Sequence, residues 1–169
     1  GSEMCIRDRE EAVALAKKAD TVLLCLGLDE LRESEGLDRA DMALAENQQQ
    51  LLDAVAAVNP NVVVLLSAGA PVETPWVGRC KALVYGALGG QAGAGAAADI
   101  LTGKLCPCGK LSQTWAQAHD DTPAKANFGG EGRNVEYREG LYVGYRYYQT
   151  AGVKPAFPFG YGLSYTTFE

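Results

Sequence analysis

The chain contains one histidine, His119. That scarcity makes a Ser-His-Asp triad or a multi-histidine metal site hard to build, and His119 reads best as a surface loop residue. The five cysteines, Cys5, Cys25, Cys80, Cys106 and Cys108, are odd in number and irregular in spacing. Such a set argues against a disulfide framework and slightly favours a reducing, cytoplasmic compartment. Cys106-Pro107-Cys108 offers two thiolates, but a structural zinc takes four ligands and no second Cys/His pair accompanies it, so no metal is expected. Clusters of Lys and Arg are also missing, in a chain of net charge −6. Nucleic acid and anionic membranes are therefore poor partners. No apolar run approaches the ~20 residues of a membrane-crossing helix, and the opening residues lack the apolar core of a signal peptide. Phosphate-binding motifs are absent as well. The glycines from Gly89 to Gly95 do not follow Gly-x-Gly-x-x-Gly, and Gly103-Lys104-Leu105 lacks the upstream glycine and the Ser/Thr of a P-loop. No organic cofactor is expected.

What the sequence does hold is a regular alternation. A length of 169 residues allows one domain able to bury most of its apolar surface. Residues 1–9 read as a non-native tail, and residues 10–169 as the domain. From Glu10 to Ala19 the pattern is helical, with Val13 and Ala16 on one face and Lys17-Lys18 where cations suit the helix dipole. Val22–Gly27 is a continuous apolar run, the mark of a strand buried on both faces, which places Cys25 in the core. Leu44–Val58 is amphipathic, with Leu51, Leu52, Val55 and Val58 at helical spacing and Asn59-Pro60 as its stop. Asn61–Ser67 is a second buried strand, and Ala82–Tyr85 a shorter third. The Gly/Ala-rich stretch after Gly89 runs into a helix through Leu101, its small residues allowing close approach to a sheet. Strands and helices in this order imply βαβ units. The expected fold is an α/β three-layer sandwich, a mostly parallel sheet with helices on both faces, followed by a long irregular segment rich in aromatics. In that tail, Tyr137, Tyr142, Tyr145, Tyr147, Tyr148, Phe157, Phe159, Tyr161, Tyr165 and Phe168 suit a packed edge better than a sugar-stacking surface.

Between the first strand and the long helix lies Arg32-Glu33-Ser34-Glu35-Gly36-Leu37-Asp38-Arg39. Loops leaving the carboxyl ends of strands line the crevice where α/β sheets bind ligands. Two carboxylates two residues apart, with glycine and an Asp-Arg pair after them, can supply a proton donor with charges nearby to tune it. The bland alternative is a solvated loop in which Asp38 or Asp41 caps the following helix.

Five stretches in order give a more specific signal. Glu33-Ser-Glu-Gly-Leu-Asp-Arg39 with Leu44-Ala-Glu-Asn-Gln48, Gly89-Gly90-Gln91 with Ala98-Asp99-Ile-Leu-Thr-Gly103, and Pro107-Cys-Gly-Lys-Leu111 with Thr114 are the first three. Tyr137-Arg-Glu-Gly-Leu-Tyr-Val-Gly-Tyr-Arg146 and Phe157-Pro-Phe-Gly-Tyr-Gly-Leu-Ser-Tyr165 are the others. Together, over about residues 11–169, they resemble the second, α/β-sandwich domain of glycoside hydrolase family 3. The chain departs from the family's pattern at Ala45, where proline is frequent, at Ala92, where glutamate is usual, and at Cys108, where serine is common. The family's opening strands are not recognisable ahead of the helix near Glu10, which suggests an N-terminally truncated fragment.

The resemblance implies part of a retaining, β-glucosidase-like enzyme. Such catalysis takes two carboxyl groups about 5–5.5 Å apart, one a nucleophile and one a proton donor that later acts as base. By resemblance the nucleophile lies on a separate (β/α)8 barrel, the acid/base is Glu35, and Asp38, Arg39 and Glu33 orient the loop or contact the sugar. The expected partners are a β-linked glucoside or oligosaccharide and the barrel of the same protein. Two other readings remain open: a noncatalytic carbohydrate-binding or interaction module using the aromatic tail, and a flavodoxin-like domain binding magnesium through Asp29. Because no recognised motif here supplies a nucleophile, the isolated chain is expected to be inactive on aryl β-glucosides. Turnover by highly purified chain, lost in Glu35→Ala, would contradict this.

Overall fold

A computed structural model describes residues 2–130 and 132–167, with side chains described from Arg7 onward. Phe168 of the aromatic tail lies outside the described residues, as does the side chain of Cys5. The elements run α1 (Ser2–Ala16), β1 (Val22–Gly27), α2 (Glu46–Ala56), β2 (Val62–Ser67), β3 (Ala82–Tyr85), α3 (Gly93–Leu101) and α4 (Tyr145–Ala151), with three short 3-10 turns between them. The three strands form one sheet in the order β1-β2-β3, and both pairings are parallel. Val22 stands beside Val62 and Val63 beside Ala82. The α/β class and the parallel sheet expected from the alternating pattern are thus observed.

The chain divides into two compact units, Gly1–Ala94 and Gly95–Glu169. In the first, β2 is the central strand, and its Val62, Val64 and Leu66 are wholly buried. Leu24 and Leu26 of β1, Leu52 and Val55 of α2 and Ala16 of α1 belong to the same core. Helix α1 continues through residues 2–9 and stops at Ala16, short of the expected Ala19. Its end is held by Asn59, a buried side chain whose Nδ2 donates to the carbonyls of Ala16 (2.9 Å) and Ala19 (2.7 Å). The residue that stops α2 therefore also satisfies the orphan carbonyls at the end of α1. Lys17 and Lys18 fall just beyond the helix, in a backbone turn.

One expectation fails. β1 is not buried on both faces: Leu24 and Leu26 are covered, whereas Leu23 is 45% exposed and Cys25 is exposed rather than in the core. An apolar run without alternation cannot by itself distinguish a central strand from an end strand with one covered face. In this sheet β1 is an end strand, and its Leu23–Cys25 face meets solvent.

The second unit is mostly irregular. Two backbone cross-ties organise it. Leu111 N–H donates to the Tyr161 carbonyl (2.8 Å), and Trp115 N–H to that of Phe157 (2.9 Å), with return bonds from Gly160 and Ala156. The Trp115 ring, 2% exposed, meets Phe157 edge-on at 6.0 Å, and Phe157 meets Tyr161 at 5.3 Å. One stretch of the aromatic tail forms the helix α4, which the aromatic pattern hid, and its Tyr148 is buried. Tyr137, Tyr142 and Tyr165 remain largely exposed.

Leu52 sits at the centre of the first unit's core with no exposed surface. Leu52→Ala should lower unfolding stability by about 2–5 kcal/mol, from lost transfer energy and the cavity left behind, measurable by urea denaturation. The free edge of β1, with Leu23 beside it, offers unpaired backbone and apolar surface to another chain. Sedimentation of the isolated chain should show concentration-dependent association that Leu23→Lys reduces; a monomer at every concentration would contradict this.

Candidate active site loop

The loop between β1 and α2 is anchored at both ends and in its middle. At its start, the backbone of Gly27 is paired with the side-chain amide of Gln48: its N–H donates to Oε1 (2.9 Å) and its carbonyl accepts from Nε2 (2.8 Å). This ties the end of β1 to the first turn of α2. Leu28 N–H then donates to the Ser67 carbonyl, extending the parallel ladder by one step. Asp29 accepts the N–H groups of Leu31 (3.1 Å) and Arg32 (3.0 Å), a local turn that bends the chain away from the sheet. Asp29 thus has a structural task in this fold. At the far end Arg32 reaches Asp41 (3.4 Å) and the Ala43 carbonyl (3.3 Å). Asp41 also accepts from Ala43 N–H, so it shapes the loop and does not cap α2, whose N-cap is Ala45 without a side-chain bond.

The two glutamates differ completely. Both carboxylate oxygens of Glu33 accept the N–H of Gly69, at 2.9 and 3.0 Å, in the turn that follows β2. A side chain at Gly69 would press on Leu88 and on Glu33 itself, so glycine there leaves room for the clamp. The Glu33 charge is also felt at Tyr85, whose hydroxyl donates to the Ala68 carbonyl (2.8 Å). Burial first, and this negative charge second, push the Tyr85 phenol above its usual range. Glu35, by contrast, is exposed and makes no hydrogen bond or ion pair among the described residues. It occupies the outer corner of a tight turn in which Leu37 N–H donates to the Ser34 carbonyl (3.3 Å) and Gly36 adopts φ +78°. Glycine after the corner residue accepts that left-handed backbone without strain. The turn projects the Glu35 carboxyl outward while Glu33 holds the base of the loop to the sheet.

Asp38 is exposed and pairs with neither Arg39 nor any other cation among the described residues. Arg39 holds the loop by another route: Nη1 donates to the Pro71 carbonyl (3.2 Å), while Nη2 is buried without a protein acceptor. Glu33, Glu35 and Arg39 thus come from one loop, and two of them are fastened to the segment after β2. The amino-acid pattern carried no direct sign of the Glu33–Gly69 clamp or of the Gln48–Gly27 pairing. The glycine in Ala68-Gly69-Ala70 was the only hint that another group approaches the backbone there. The second unit has a shallow cleft lined by Asn127, Arg138, Glu139, Tyr142 and Tyr147, and the first another near Asp53, Arg79 and Cys80; neither includes the loop. No group of three or more His, Cys, Asp or Glu able to hold a metal occurs among the described residues.

Comparison with known proteins identifies the family. Residues 6–165 match the Glycosyl hydrolase family 3 C-terminal domain. Thermostable beta-glucosidase B of Acetivibrio thermocellus is 50% identical over 164 residues, which are 95% of this chain and 22% of that protein. The exo-alpha-(1->6)-L-arabinopyranosidase of Bifidobacterium breve is 48% identical over 160 residues, 94% of this chain and 21% of that protein. Among solved structures, the GH3 beta-glucosidase of Bifidobacterium adolescentis superposes with a TM-score of 0.92 at 49% identity, over 94% of this chain and 24% of that one. The chain thus spans about a fifth of the length of the curated relatives it matches. Matched over nearly its whole length, with an α/β fold to suit, the chain belongs to the glycosyl hydrolase family 3 C-terminal domain family.

Proposed function

We propose that this chain supplies the acid/base glutamate, Glu35, of a retaining glycoside hydrolase whose nucleophile lies on a (β/α)8 barrel of the same protein. The observation that carries the reading is the contrast within the loop: Glu33 is fastened by both oxygens to Gly69, whereas Glu35 stands free at the corner of the turn. A group that must give a proton to one atom and later take one from water needs a carboxyl that no protein partner occupies, on a backbone that does not drift. The clamp provides the second condition and the glycine turn the first.

In the first half of the reaction, Glu35 protonates the glycosidic oxygen as the nucleophile attacks the anomeric carbon, which spares the leaving group from departing as an alkoxide. In the second, the Glu35 carboxylate removes a proton from the water that opens the glycosyl intermediate. Arg39, with one guanidinium nitrogen buried and unpartnered, and Asp38 orient the loop or meet a sugar hydroxyl. A proton delivered to the glycosidic oxygen is indifferent to the identity of the sugar ring. The same loop therefore suits a β-glucosidase and an arabinopyranosidase alike, and the substrate class is best written as a glycoside, with a β-glucoside as the favoured member.

The test uses the full-length protein carrying this chain. Glu35→Ala should slow hydrolysis of glycosides with poor leaving groups far more than that of activated aryl glycosides, since the latter need little proton assistance. The deficit should grow with leaving-group pKa, and azide should restore turnover, giving a glycosyl azide of retained configuration. Glu33→Ala should show no azide rescue, and a loss of activity there should come with a looser loop, read as faster amide exchange at Gly69. Equal losses across all leaving groups without rescue in Glu35→Ala, or rescue in Glu33→Ala, would overturn the assignment.

A further inference from the structure

Outside the loop, the densest set of reactive side chains lies just beyond α3, at Cys106-Pro107-Cys108. Both cysteines are exposed. The Cys106 sulfur is surrounded by one short segment, Ser164-Tyr165-Thr166: the Ser164 hydroxyl is 3.2 Å away, the Tyr165 N–H donates to it at 3.4 Å, and the Thr166 hydroxyl is 3.8 Å away. That segment is itself fixed, because the Tyr165 hydroxyl donates to the Ile100 carbonyl (2.9 Å) and Thr166 N–H to Ser164 Oγ (2.9 Å). Among the described residues, the acceptor without a proton to give near the sulfur is the Pro107 carbonyl, at 3.8 Å.

We propose that Cys106 and Cys108 form a peroxide-responsive dithiol, with Cys106 as the attacking sulfur and Cys108 as the resolving one. A neutral thiol can donate a single hydrogen bond, whereas a thiolate can accept from all three groups, so the cradle selects the anion. The Ser164 hydroxyl first, then the Tyr165 N–H and the Thr166 hydroxyl, hold the Cys106 thiol below the usual range. Cys80 shows the opposite behaviour: half-buried, it is pushed up by desolvation. Cys25 is exposed but has no donor near its sulfur among the described residues. With only Pro107 between them, covalent geometry keeps the two Cα atoms within about 7 Å of each other, near the upper end of the span a disulfide accepts.

The chemistry balances with hydrogen peroxide as the oxidant. The Cys106 thiolate attacks one peroxide oxygen; an S–O bond forms, the O–O bond breaks, and the departing hydroxide is protonated to water. The sulfur loses two electrons and the peroxide gains them. The Cys108 thiolate then attacks the sulfenic sulfur of Cys106, the S–S bond forms, and the S–O bond breaks with loss of a second water. In the disulfide Cys106 no longer carries the charge that held residues 164–166, so oxidation should loosen that segment.

Trypsin cutting after Lys104 and Lys110 releases residues 105–110, which contain both cysteines and no other. After the whole chain is treated with limiting hydrogen peroxide, this peptide should have lost two hydrogens, and dithiothreitol should restore them. Cys108→Ser should instead accumulate a dimedone-reactive sulfenic acid at Cys106, and Cys106→Ser should form no disulfide within the peptide. In unoxidised protein, Ser164→Ala should slow alkylation of Cys106 by iodoacetamide near neutral pH by about threefold and move its pH midpoint upward, as expected for the loss of one thiolate donor. Alkylation of Cys25 in the same sample should be unchanged, which separates loss of the cradle from loss of the fold. Peroxide-treated peptide that keeps both hydrogens, Cys106 reacting no faster than Cys25, or an unaltered rate in Ser164→Ala would each overturn the proposal.

Discussion

The carbonyl oxygen of Ser67 lies where a Cβ on residue 27 would have to go. Only glycine allows this approach, and the rest of the candidate site depends on it. With Gly27 against Ser67, β1 and β2 stay in register to their carboxyl ends, and Leu28 N–H still finds the Ser67 carbonyl one step beyond the ladder. The chain therefore leaves the sheet at a defined point. From there the Asp29 turn, the Arg32 clip to Asp41 and the clamp of Glu33 on Gly69 follow, each relying on the position set by the one before.

On the proposed function, the same loop would separate two jobs that proton transfer puts in conflict. A carboxylate that anchors backbone must keep its hydrogen bonds, and one that exchanges protons with a substrate must be free of them. A single glutamate cannot do both. Two glutamates on opposite sides of Ser34 could then divide the work, because Glu33 is clamped to Gly69 while Glu35 stands exposed beyond it. Gly36, with its positive φ, makes the turn from Ser34 to Leu37 possible in so few residues.

The second unit is built on a different principle. With little regular structure, it relies on paired backbone cross-ties between residues 111–115 and 156–161 and on aromatic rings closing over them. Its segment 164–166 is held partly through a sulfur atom. A fastening of that kind responds to oxidation in a way that backbone hydrogen bonds do not.

The order of elements from α1 to α3, the parallel sheet, the stop at Asn59-Pro60 and the place of the charged loop at a strand's carboxyl end were all legible in the sequence. They follow from local periodicity, turn residues and the geometry of βαβ connections, which neighbouring residues settle among themselves. The family resemblance added a named role for Glu35. Only the tertiary structure decided that Leu23 and Cys25 of β1 face solvent, because exposure depends on what stands beside a strand and not on the strand's composition. Only it separated Glu33 from Glu35, and gave Arg39 the Pro71 carbonyl in place of Asp38. Those choices rest on partners 36 and 32 residues away, and no local pattern encodes which distant backbone group a folded chain brings within hydrogen-bond reach.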